Sequence, residues 1–207
     1  ILIYKLAMTI RGDSSEYELL KKWCETLPFF EEPKSVTTCE IGVREGLGSQ
    51  IIIMSMLPRI GKIDYQHYAI DPYGDLDYQH FDNEPRWKRD GKWTSEAPKY
   101  SDAMRDQMVK DFATNPYFKF YNMTDCEYMD IFNLTKTIYD LVFLDGPHTT
   151  KDILREALWF AERSRKGSRI IIDDFRLCNF DVIRAAISYW DFKVHEKGNN
   201  KVCLERI

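Results

Sequence analysis

The sequence predicts a doubly wound α/β fold: a mostly parallel sheet covered by helices, with an antiparallel hairpin at its C-terminal end. Three observations carry this. From residue 36 onward, short β-branched and aromatic runs alternate with runs of helical periodicity. The runs Tyr139 to Leu144 (YDLVFL) and Arg169 to Ile172 (RIII) carry no period-two alternation, as expected of strands buried on both faces of a parallel sheet. The last two strand-like runs are joined by only a few residues, which permits only an antiparallel pairing.

The elements follow in order. Residues 1–34 form an N-terminal helical segment: Ser15 and Glu18 have capping-box spacing, and Tyr17, Leu19, Leu20, Trp23 and Leu27 follow. It is expected to pack on the sheet edge or help form a lid. Ser35 to Ile41 is a strand, Gly48 to Leu57 a helix stopped by Pro58, and Tyr68 to Ile70 a strand ending at Asp71. Residues 72–115 break the alternation and are rich in aromatics (Tyr73, Tyr78, Phe81, Trp87, Trp93, Tyr100). So long a connection in a small domain is usually functional or disordered; it reads here as an insertion forming a substrate or lid region, with a helix over Asp102 to Phe112. Phe118 to Tyr121 and Tyr139 to Leu144 are strands, and Asp152 to Ser164 is a helix. Arg169 to Ile172 is a strand, Phe180 to Trp190 a helix, and Phe192 to His195 and Lys201 to Glu205 close the chain as strands around a Gly198-Asn199-Asn200 turn. A chain of 207 residues suits one domain spanning 1–207.

Composition narrows the function classes. Apolar residues make up 44% and charged residues 30%, an ordinary globular mix. The net charge is −4 and the pI about 5.7, which gives no basic footprint for a nucleic-acid partner. No apolar run reaches the ~18 residues of a spanning helix, so no membrane partner is expected. The five cysteines are widely spaced with no C-x-x-C, which reads as buried reduced thiols. Ile1 to Met8 is short for a secretory apolar core. Together these make a cytoplasmic location the expectation.

The residues that carry chemistry cluster after strands. Glu40-Ile41-Gly42-Val43-Arg44-Glu45-Gly46-Leu47-Gly48-Ser49 follows the first core strand and opens a helix. Glycines there allow a sharp turn and close approach of a ligand to the backbone, and the helix start offers free N–H groups. The spacing is G-x-x-x-G, neither the dinucleotide G-x-G-x-x-G nor a phosphate-binding G-K-S/T loop. Asp71, at the end of the second strand, suits a ribose diol, though Asp-Pro-Tyr-Gly is also a turn. Asp145 ends one strand, and Asp173 and Asp174 end the next. In an open α/β sheet these positions face one crevice, where three carboxylates either raise a pKa or bind a cation. Oxygen ligands without clustered Cys or His favour Mg²⁺, Mn²⁺ or Ca²⁺ over zinc. His148, at the mouth of the crevice, suits a general base.

These motifs together resemble the class I S-adenosylmethionine-dependent methyltransferases: Glu40-Ile41-Gly42-x-x-x-Gly46, Ala69-Ile70-Asp71, Tyr139 to Gly146-x-His148, and Lys166-Gly167-Ser168 to Phe175. Within them the chain is most similar to the metal-dependent small-molecule O-methyltransferases, the catechol-type and antibiotic-sugar branch. The resemblance covers about residues 35–207 and implies a seven-stranded Rossmann-like sheet. It implies that Gly42 and Gly46 pass the methionine part of the cofactor with Glu40 and Ser49 nearby. Asp71 would hold the ribose, and Thr124 and Asp125 would contact the adenine. Asp145, Asp173 and Asp174 would ligate a divalent cation, most simply Mg²⁺, and Asp145 would also take part in catalysis. His148 falls where catechol-type enzymes carry a lysine base. The antibiotic-sugar branch often has an acidic residue where this chain has Pro147, and Lys166-Gly167-Ser168 replaces a Pro-Gly-Gly. The implied partner is a small-molecule hydroxyl acceptor, a sugar or a catechol-like phenol, and relatives often form homodimers. Two other readings stay open on the sequence: a dinucleotide- or nucleotide-sugar-dependent oxidoreductase, and a non-catalytic cofactor-binding module.

Overall fold

Seven strands form one sheet in the order β3-β2-β1-β4-β5-β7-β6: β1 (Ser35–Ile41), β2 (Asp64–Ile70), β3 (Phe118–Tyr121), β4 (Leu141–Leu144), β5 (Arg169–Ile172), β6 (Phe192–Lys197) and β7 (Val202–Arg206). The helices are α1 (Tyr17–Glu25), α2 (Leu47–Met56), α3 (Asp102–Phe112), α4 (Asp125–Ile131), α5 (Thr150–Glu162) and α6 (Phe180–Ile187). This computed structural model describes residues 12, 14–28, 35–59, 64–74, 79–83 and 101–207. Tyr78, Trp87, Trp93 and Tyr100 of the 72–115 connection lie outside the described residues.

Strand pairing makes the sheet parallel from β3 through β5; β7 runs antiparallel to both β5 and β6. The predicted hairpin is therefore present, with its second strand inserted between β5 and its first strand. Side chains alternate along the central strands as the pleat requires. Leu141 and Phe143 join one apolar cluster with α1, α2 and α3, while Val142 and Leu144 join the other with α4, α5 and α6. Burial of a side chain such as Phe143 contributes roughly 1.5–3 kcal/mol, and both clusters are built from many of these.

Helix starts follow local capping chemistry. Thr124 caps α4 in a reciprocal box with Glu127, Thr149 accepts from Asp152 N–H at the start of α5, and Ser101 and Asn179 cap α3 and α6. The Ser15–Glu18 box expected at α1 does not form. Glu16 is the N-cap residue, left-handed at φ 59°, with no side-chain cap. Its carboxylate instead accepts the backbone N–H groups of Asn199, Asn200 and Lys201, at 2.7, 2.8 and 3.0 Å. A tertiary demand, three turn amides with no ladder partner, overrides the local cap. Burial alone would raise the Glu16 pKa, but the three amides and the Lys201 charge outweigh it and hold it below the ordinary range.

The chain runs outward from β1 through β2 to β3, then crosses back to β4 beside β1. The strand order reverses between β1 and β4, which is where open α/β sheets leave a crevice at the carboxyl ends of the strands.

Candidate active site

The glycine loop and Asp145 leave the sheet side by side at this crevice. Gly42 has φ +84°, and a Cβ on it would run into the Asp145 backbone carbonyl. Gly46 has φ +92°, and a Cβ there would lie 2.6 Å from the Phe112 ring of α3. Both positions require glycine twice over, for the left-handed backbone and for the close approach. The loop is therefore shaped first by its own protein neighbours. Asp71 holds it: its Oδ2 accepts Val43 N–H and Arg44 N–H, both at 2.9 Å, and its Oδ1 accepts Tyr73 N–H at 3.0 Å. Asp71 is buried, and burial raises its pKa despite these three bonds.

Beneath the loop lies a buried polar relay. Ser49 Oγ donates to Glu40 and contacts His67 Nε2 at 2.9 Å; His67 Nδ1 contacts Thr38 Oγ1 at 2.8 Å, which meets the Tyr65 hydroxyl at 2.9 Å. Thr38, Glu40, Ser49 and His67 are at most 1% exposed. Burial pushes the Glu40 carboxyl up to about 8 against the pull of its Ser49 hydrogen bonds, and it pushes His67 down to about 3. Both are therefore neutral near pH 7. Gly48 leaves room for Glu40, whose Oε1 occupies the space a Cβ would take. Ser49, expected at the cofactor, is instead committed to this relay.

Thr124 and Asp125 stand at the start of α4, near the adenine position implied by resemblance, but each already has a protein partner. Thr124 is the cap, and Asp125 pairs with Arg155 of α5. Glu156 lies beside them, fully buried, and neither of its carboxyl oxygens has a hydrogen-bond partner. Burial and the nearby Asp125 raise its pKa well above the ordinary carboxylate range.

One of the three strand-end carboxylates, Asp173, is paired with a cation that the chain itself supplies. Lys201 Nζ lies 2.7 Å from Asp173 Oδ1, and the lysine side chain is 0% exposed. The same ammonium donates to Ser14 Oγ, which in turn donates to Asp173 Oδ2. Asp174 N–H also donates to Asp173 Oδ1, at 3.0 Å. For Asp145, burial and then the Asp173 charge raise the pKa well above the ordinary range. For Asp173, burial acts upward, but the Lys201 charge and the surrounding hydrogen bonds outweigh it and lower the pKa. Asp174 is left-handed at φ 45° and only part-buried; burial, then the Asp173 charge, raises its pKa.

A divalent cation does not fit this arrangement. Both oxygens of the Asp173 carboxylate are already engaged: Oδ1 accepts from Lys201 Nζ and Asp174 N–H, and Oδ2 accepts from Ser14 Oγ. Among the described residues, no group of three or more His, Cys, Asp or Glu side chains is arranged to hold a metal ion. At Asp173, the place expected for a metal ion is thus taken by an ammonium group and a hydroxyl. The sequence reading missed Ser14, Tyr17 and Lys201. The Tyr17 hydroxyl is close enough to Asp145, Glu40 and Asp173 that burial, then these charges, raise its pKa.

His148 lies where expected, its Nε2 4.0 Å from Asp145 Oδ1. It is 4% exposed, stacked on Phe81 at 5.6 Å and set edge-on to His80 at 5.0 Å. His148 N–H also bonds the His80 carbonyl at 2.8 Å, so the 79–83 segment of the long connection closes over this residue. Burial lowers its pKa, leaving the ring neutral near pH 7. Its Nδ1 has no hydrogen-bond partner.

Residues 39–175 match the model of a family described as a methyltransferase domain. The chain belongs to that family. Its span runs from the glycine loop's strand to the carboxylates after β5. No curated protein sequence matches the chain. Among solved structures it is similar to the O-methyltransferase TomG from Streptomyces achromogenes, described as involved in tomaymycin synthesis and in complex with SAM (TM-score 0.56, 14% identity, 96% of this chain and 82% of that one). It is also similar to an O-methyltransferase from Bacillus cereus in complex with SAH (0.53, 11%, 95% and 82%). A third is the mycinamycin-pathway methyltransferase MycE in complex with Mg, SAH and mycinamycin VI (0.50, 15%, 84% and 45%). At these identities the likeness shows the fold, a Rossmann-like methyltransferase sheet. No helix among the described residues is long and apolar enough to cross a membrane.

Proposed function

We propose that this methyltransferase-domain protein moves a methyl group from S-adenosylmethionine to a hydroxyl oxygen of a small molecule. The observation that carries the reading is the meeting of the left-handed glycine loop with Asp145 at the point where strand order reverses. The cofactor would supply an electrophilic methyl group. Gly42 and Gly46 let the loop backbone pass close to it, and Asp71 fixes that loop through Val43 and Arg44 N–H. The neutral Glu40, held by Ser49, presents a carboxyl without adding a full charge beneath the loop. His148, buried beside Asp145 with a partnerless Nδ1, is the group assigned to take the acceptor's hydroxyl proton. Most of the acceleration would come from holding donor and acceptor in line. A small-molecule acceptor such as a sugar or a catechol-like phenol is supported by the small-molecule pathway named for TomG and by the aromatic content of the long β2–β3 connection.

Calorimetric titration with S-adenosylhomocysteine tests the reading. Saturable binding in the micromolar range, weakened at least tenfold in Asp71→Ala, is the expected result. No binding to the folded protein would overturn it.

A further inference from the structure

We propose that the Lys201 ε-ammonium is the built-in cation of this site, so that the strand-end carboxylates are neutralised from within the chain and take up no divalent metal. The inference concerns the site of the proposed reaction but does not depend on which acceptor is methylated.

The fold places Lys201 there by register. Because β7 runs antiparallel, its beginning lies at the crevice, where the parallel strands have their ends. Ile172 of β5 pairs with Val202 of β7, so the next positions outward, Asp173 and Lys201, face each other. The lysine is held along its whole length. Its backbone N–H donates to Glu16 at 3.0 Å. Its ammonium lies 5.2 Å from the centre of the Phe143 ring and 5.5 Å from that of Tyr17, on the aromatic faces. The ammonium also contacts Asp173 and Ser14, and the residue is closed off from solvent.

A divalent ion bound to Asp173 would need a carboxylate oxygen free at about 2.0–2.6 Å. Both Asp173 oxygens are engaged, one by Lys201 and Asp174 N–H, the other by Ser14. An ion entering beside them would also meet a buried positive charge within hydrogen-bond distance of its first ligand, and that ammonium has no solvent to withdraw into. Lys201 is thus a positioning residue. It keeps Asp173 ionised and in place, and through Ser14 it ties the N-terminal segment across the end of the sheet.

Mn²⁺ is the probe. The wild-type protein, stripped with chelator, is titrated with Mn²⁺ and followed by paramagnetic water-proton relaxation and by melting temperature. No saturable binding and no rise in melting temperature are expected. In Lys201→Met, which keeps the side-chain length and removes the charge, saturable Mn²⁺ binding and a Mn²⁺-dependent rise in melting temperature are expected, and both should vanish in Lys201→Met/Asp173→Asn. Saturable binding by wild type that Asp173→Asn abolishes would overturn the proposal, as would a folded Lys201→Met that takes up no Mn²⁺. If Lys201→Met fails to fold without metal, refolding on Mn²⁺ addition supports the proposal; if it folds in neither condition, the wild-type titration decides. Failure of S-adenosylhomocysteine to bind would count against the methyl-transfer reading and leave the Mn²⁺ result standing.

Discussion

Replacing Glu40 by Gln removes one titrating proton from the buried relay while keeping its shape, and the consequence can be worked out for stability against pH. In the fold the Glu40 carboxyl titrates at about 8, against an ordinary value of 4.5. The folded state therefore binds this proton more tightly than the unfolded chain. The stability it confers is full below about 4.5 and is lost as pH rises through about 8. His67 has the opposite sign: at about 3 in the fold against 6.5, its contribution is full above about 6.5 and is lost as pH falls through about 3. Between about 4.5 and 6.5 the two slopes cancel, and above that Glu40 acts unopposed. One proton gives a slope of about 1.4 kcal/mol per pH unit. The difference in unfolding free energy between Glu40→Gln and wild type should therefore shift by about 2.7 kcal/mol in favour of the variant between pH 5.5 and 7.5. His67, Glu156 and Asp145 titrate in both proteins and drop out of that difference. Urea unfolding followed by tryptophan fluorescence at pH 5.5, 6.5, 7.5 and 8.5 reads it as a relative midpoint shift on the order of 1 M. Parallel stability curves would refute the reasoning, because they would mean that Glu40 is ionised in the fold or hydrated there.

Two further substitutions test the geometry around the crevice. Gly42→Ala puts a Cβ into the Asp145 carbonyl at φ +84°. The backbone strain alone costs about 1–2 kcal/mol, so melting should fall by at least about 2 °C and calorimetry should show S-adenosylhomocysteine affinity at least tenfold weaker; wild-type values for both would contradict the close approach. Glu16→Ala strips the acceptor from three turn amides. Stability should fall by about 1–3 kcal/mol, and the amides of Asn199, Asn200 and Lys201 should exchange faster with solvent; unchanged exchange at these three would refute the clamp.

The strands show how much local pattern can specify. Phe118–Tyr121 and Arg169–Ile172 begin and end where the sequence places them, because short β-branched or aromatic runs between breakers have no competing period. Asp102–Phe112 likewise matches as a helix, with Ser101 as its cap. β2 starts at Asp64, earlier than the Tyr68 expected, because its first residues pair with Ser35–Thr38 of β1 and need no apolar run of their own. Helix α4 went unread: seven residues are too few to show a period, and its Thr124–Glu127 box was the available signal.

The site divides along the same line. The sequence by itself determined that a glycine loop, Asp71, Asp145, Asp173 and Asp174 all follow strands, and in a parallel sheet this is enough to bring them to one edge. Which partner each carboxylate takes was decided by tertiary structure alone. Asp71 turned to the loop amides, Ser49 to Glu40 and His67, and Asp173 to Lys201 and Ser14. Lys201 reads in the sequence as the first residue of the last strand. It becomes the counter-ion of Asp173 only because β7 is inserted antiparallel beside β5, reversing which end of that strand reaches the crevice. Ser14 joins it from the other end of the chain, 187 residues away. Hydrophobic periodicity reports which face of an element is buried, whereas ion pairing in a dry crevice depends on distances between residues remote in sequence, and only the folded register sets those.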